Sequence, residues 1–100
     1  MAFDAFTSGS SGSSPKTVQH TVSSPGANVA VYAIILSDAG DTVTGATYDG
    51  NAMTQRAKDT GLYVYEWIGT AGSGAKNVTV SSSSGTLYLS VISFTSVSAF

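Results

Sequence analysis

The chain reads as an all-β protein: an antiparallel β-sandwich of about eight short strands, with a Ser/Gly-rich N-terminal arm. Three observations lead there. The apolar residues fall in short β-branched and aromatic runs and show no 3.6-residue periodicity. Clusters of Gly, Ser, Asp and Asn separate those runs at roughly the 8–12-residue spacing of a sandwich. The composition is 42% hydrophobic and only 10% charged, with 29 Ser plus Thr and 11 Gly among 100 residues. The polar surface of such a chain is therefore mostly hydroxyl and backbone.

Taken in order, strands are expected at about 2–6, 17–23, 28–36, 42–48, 52–57, 61–68, 76–82 and 86–94. Residues 7–15 (TSGSSGSSP) are the one low-complexity stretch and read as a flexible arm or linker. The expected division is thus an arm at 1–15 and a sandwich domain at 16–100. Asp49-Gly50, flanked by alternating residues, is a type I′ hairpin signal because both central positions need positive φ. Further turns are expected at Ser37–Asp41 and Gly69–Gly74. Val78 and Val80 alternate with polar neighbours, which gives that strand one wet face.

Two strands, 28–36 and 87–94, are apolar on both faces. Such strands are covered on both sides, yet a two-layer sandwich of this length has nothing of its own to cover the second face. Either a neighbouring molecule does so, or Ala30, Tyr32 and Ala33 sit at a partly exposed surface. In 62–68, Tyr63, Tyr65 and Trp67 share one face, and core is their expected role ahead of carbohydrate stacking. Glu66 lies on the other face within reach of Arg56 or Lys58. The expected core comprises Val29, Val31, Ile35, Val64, Trp67, Val78, Val80, Leu89, Val91 and Phe94.

The chemical inventory is poor. No cysteine is present, which excludes disulfides, zinc knuckles and a thiol nucleophile. The net charge of −2 comes with scattered cations, against nucleic-acid binding. The longest apolar run, eight residues, is too short for a membrane span, and the acidic opening Met1-Ala2-Phe3-Asp4 lacks a signal peptide's basic region. His20, the one histidine, lies in an alternating strand with no nucleophile elbow. Asp38, Asp41, Asp49 and Asn51 are ordinary turn residues before they are calcium ligands. No catalytic residue, cofactor or metal is expected.

Ala2-Phe3-Asp4-Ala5, His20-Thr21-Val22, the segment Val43 to Thr54 (VTGATYDGNAMT) and the closing Val91-Ile92-Ser93-Phe94 follow a recognisable pattern, "FDA…HTV…VTYGG…SFSGV". In this the chain resembles the small Ig-like or jelly-roll domains of tailed-bacteriophage structural proteins and of some bacterial surface proteins, from Ala2 to about Val97. It departs at Gly69-Thr70-Ala71, where the family has Asn-Pro, and at its end, where the family commonly adds one or two strands. The resemblance implies a non-enzymatic virion component assembled in the host cytoplasm. A capsid decoration (cement) protein is the expected form, with a tail or fibre/adhesin module reading a host glycan as the alternative. Expected partners are other virion proteins, the major capsid protein or a tail protein, and further copies of the chain. Phe3, Phe6, Tyr32 and Phe100 are the expected interface residues.

Overall fold

The computed structural model describes residues 2–13, 15–37, 42–59, 61–83 and 86–95. Nine strands lie among them: β1 (Ala2–Ser13), β2 (Lys16–Thr21), β3 (Gly26–Ser37), β4 (Val43–Tyr48), β5 (Asn51–Ala52), β6 (Thr54–Asp59), β7 (Leu62–Ala71), β8 (Ala75–Ser82) and β9 (Thr86–Thr95). They form a β-sandwich whose sheets run β1-β9-β3-β7-β6 and β2-β8-β4-β5, with every pairing antiparallel. β1 pairs with β9, β2 with β8, β3 with β7 and β4 with β5, a nested set that describes one long hairpin rolled up on itself. The β9–β3 and β8–β4 pairings close the roll. That wiring is a jelly roll, with β6 added at one edge. It decides the strand order that a string of residues leaves open between Ig-like and jelly-roll topologies.

The core lies between the sheets and is built by strand alternation. Val29, Val31, Ala33 and Ile35 of β3 face Val78 and Val80 of β8, with Leu87, Leu89 and Val91 of β9 beside them, all fully or almost fully buried. The hairpin at Asp49-Gly50 is as expected: φ is +49° and +81°, and Tyr48 pairs with Asn51 across it.

Several expectations need correction. Residues 7–13 are not a flexible arm. They continue β1, which pairs with β9 from Ala2↔Thr95 to Ser13↔Thr86, so the sandwich takes in residues assigned to an arm at 1–15. A Ser/Gly run has little strand propensity of its own, and here the β9 ladder supplies the order. Tyr88 lies over Gly9 so closely that a Cβ there would have no room. The expected strand at 52–57 is two strands, because the chain leaves one sheet after Ala52 and enters the other at Thr54. Buried Met53 makes the crossing and donates its N–H to the Ala46 carbonyl at 2.9 Å. Val64 and Phe94 are not core residues: each is out of phase with its buried neighbours and lies half-buried on the outer face. Trp67 is half-buried against the core, stacked on Tyr48 at 4.7 Å.

Candidate interface and a buried polar latch

The outer face of the five-stranded sheet has no second layer above it among the described residues. Cross-strand register places Phe3 beside Phe94 and Phe6 beside Ile92, with Tyr32, Ile34 and Leu36 of β3 on the same side next to Ile92, Ser90 and Tyr88. Leu62, Val64 and Ile68 of β7 extend the surface. Phe3, Phe6 and Leu36 are 63%, 55% and 49% exposed, and Tyr88, Leu62 and Ile68 are exposed too. Phe3 and Tyr32 both meet Phe94 edge-on, at 6.4 and 5.9 Å, which makes an aromatic row across β1, β9 and β3. Taking roughly 150–250 Å² for a whole aromatic side chain, the six exposed residues present apolar area on the order of 500 Å². That is the upper end of the patches found on monomers. Of the four expected interface residues, Phe3, Phe6 and Tyr32 lie on this face. Phe100 lies outside the described residues.

An ion pair, Glu66 with Arg56, interrupts the face. Glu66 is buried, and its carboxylate accepts from the Tyr32 hydroxyl at 2.6 Å and from Arg56 Nε at 2.6 Å. Burial opposes its ionisation, but those two donors together outweigh burial and hold the carboxyl below its ordinary range. The hydrogen bond to Glu66, with some help from burial, pushes the Tyr32 hydroxyl up to about 12. Of the two cations within expected reach of Glu66, Arg56 takes the pairing. Lys58 stands over the Tyr63 ring instead, 5.7 Å from its centroid.

The second feature lies inside. Both His20 and Ser93 are 0% exposed. Val18 and Val22 are buried in phase with His20, so the alternation that marks the strand also turns the imidazole inward. Leu89 and Val91 do the same for Ser93. Asp4 is the extra residue of a bulge between Phe3 and Ala5. Its carboxylate accepts from the Ser93 hydroxyl at 2.8 Å and from the Ser23 and Ser24 N–H groups at 2.9 Å each. His20 Nε2 lies 2.8 Å from Ser93 Oγ, and Nδ1 lies 2.6 Å from Thr7 Oγ1.

These distances set the proton positions. Ser93 has one hydroxyl proton and gives it to a carboxylate that only accepts, so its oxygen receives the His20 Nε2–H. Nδ1 is then bare and accepts from Thr7. The imidazole is neutral in this arrangement. Burial pushes its pKa down, and the nearby Asp4 charge only partly offsets that. In a hydrolytic triad the acid orients the histidine nitrogen remote from the serine. Here the acid bonds the serine itself, a threonine occupies the remote nitrogen, and neither Ser93 nor His20 reaches solvent. The geometry is that of a latch joining β1, β2, β9 and the β2–β3 turn.

Asp49 and Asn51 belong to the hairpin, where the Asn51 amide donates to the Asp49 carbonyl at 3.4 Å. Asp38 and Asp41 lie outside the described residues. Among the described residues, no group of three or more His, Cys, Asp or Glu comes close enough to hold a metal ion. No family model, curated protein or solved structure matches the chain, so fold and surface carry the functional reading.

Proposed function

We propose that this chain is a non-enzymatic structural protein of a virion, a jelly-roll module that decorates the head and docks by the outer face of its five-stranded sheet. The observation that carries the reading is that face: contiguous, apolar and without a second layer over it among the described residues, its Glu66 carboxylate already paired with Arg56. At roughly 25 cal/mol per Å², burying about 500 Å² contributes on the order of 10 kcal/mol before the costs of association. The few charges add little, since exposed ion pairs contribute about 0–1 kcal/mol each. The partner that suits this face is a protein shell presenting a neutral apolar surface. A glycan-reading module built on Tyr63, Tyr65 and Trp67 has less support. The two tyrosines are buried and Trp67 packs on Tyr48, so these three residues present no open platform, and the Tyr32 hydroxyl is already held by Glu66.

The test is made on particles produced by the genome that encodes this chain, purified on a density gradient. The chain should co-sediment with them and stay bound in about 0.5 M salt, where screening weakens charge contacts but not apolar ones. Leu36→Lys should leave the fold intact and abolish co-sedimentation. A chain that stays at the top of the gradient, or that salt alone releases, refutes the proposal.

A further inference from the structure

The two edges of the five-stranded sheet differ. β6 is guarded by exposed Arg56, Lys58 and Asp59, and edge charges of this kind oppose strand addition. β1, at the other edge, is twelve residues long, and its one charged side chain, Asp4, is turned inward onto Ser93 and the β2–β3 turn. The two most exposed large apolar residues among those described, Phe3 and Phe6, stand on this strand, free of outward charge, at the margin of the sheet. A partner lying only on the sheet face covers such marginal residues poorly, whereas a strand continuing the sheet beyond β1 covers them directly.

We infer that β1 pairs antiparallel with β1 of a second copy of this chain, about a two-fold axis near Phe6. A strand meeting its own copy is the isologous arrangement that closes a dimer. Centred on Phe6, the register opposes Ala5 with Thr7 and sets Phe3 against Gly9 of the other copy, where Tyr88 already supplies an aromatic surface. No like charges meet in that seam. Lys16, whose stem lies against Gly12, falls outside it. β1 shifts register against β9 between Phe3 and Ala5 and again between Thr7 and Ser10, so the regular stretch that the axis crosses is Ala5–Thr7. The axis is perpendicular to the sheet, so both apolar faces point the same way and form one platform twice as wide. This contact shares Phe3 and Phe6 with the docking face, and Leu36, on the face and outside the seam, tells the two apart.

Sedimentation equilibrium of the full chain, together with single-cysteine variants, tests it, because the native chain contains no cysteine. The expected mass is twice the 10.1 kDa of one chain. Under mild oxidation Phe6→Cys should form a disulfide-linked dimer in high yield, since directly opposed antiparallel residues have the Cα separation that a disulfide needs. Lys58→Cys on β6 and Leu36→Cys on the face should not. Phe6→Lys should return the protein to a monomer with an unchanged circular dichroism spectrum, and Leu36→Lys should leave the dimer intact. A monomer at all concentrations overturns the inference, and so does a dimer that cross-links through Leu36→Cys or Lys58→Cys but not Phe6→Cys. Face docking on particles can fail without changing any of these readouts.

Discussion

Ser93→Ala removes one hydroxyl and breaks the latch at its centre. The His20 Nε2–H, 2.8 Å from Ser93 Oγ and fully buried, loses its acceptor, and Asp4 loses one of its three donors. A buried donor left unsatisfied costs about 1–3 kcal/mol, and a hydrogen bond to a charged group contributes about 1.5–3 kcal/mol. The expected loss is about 2–4 kcal/mol in urea or guanidinium unfolding, with an unchanged m-value. For a domain of this length that lowers Tm by roughly 10–20 °C. His20→Leu should also destabilise, but the double variant should cost well under the sum, because no orphaned polar pair remains. The latch also sets a pH dependence. The folded state holds His20 below its ordinary pKa, so below about pH 6.5 the unfolded chain takes up a proton that the folded chain refuses. Stability therefore falls as pH drops from about 6.5 toward the lowered folded value, and above 6.5 this residue contributes no slope. His20→Leu should flatten that stretch of the profile. A Ser93→Ala variant within 0.5 kcal/mol of the parent would refute the reasoning, and so would strict additivity of the two substitutions.

Tyr48→Phe should leave stability unchanged or raise it by up to about 1 kcal/mol in the same unfolding assay, because the buried Tyr48 hydroxyl has no hydrogen-bond partner among the described residues; a clear loss would reveal a partner. Gly50→Val should cost about 1–2 kcal/mol because φ is +81° there with open space around it, and Gly50→Asn should cost much less; equal losses would mean that φ is not the cause. By NMR, Tyr32 should titrate near 12, and Glu66→Gln should bring it back toward 10, since the bond to the carboxylate is the main cause of the shift. A Tyr32 that already titrates near 10 in the parent would disprove that bond.

Alternation is a local property, and it made much of this protein legible. The runs at 28–36, 76–82 and 86–94 declare strands by their residue types, and Asp49-Gly50 declares its hairpin because few other pairs tolerate positive φ twice. The excess of apolar residues on β3 and β9 likewise announced a second face in need of cover. The tertiary structure decided what depends on pairs distant in the chain. Ser/Gly residues 7–13 carry no strand signal and become one only because β9, some 80 residues away, supplies a ladder. His20, Ser93 and Asp4 are unremarkable in a chain with 17 serines. Their phase with buried valines and leucines was readable, but their meeting was not, because it depends on the roll that brings β1, β2 and β9 to one place. The phase of an apolar run was equally undecided for Val64 and Phe94, since a strand apolar on both faces fits the core either way round. Only the sheet order selects which face turns inward, because a one-residue shift in phase exchanges core for surface along the whole strand.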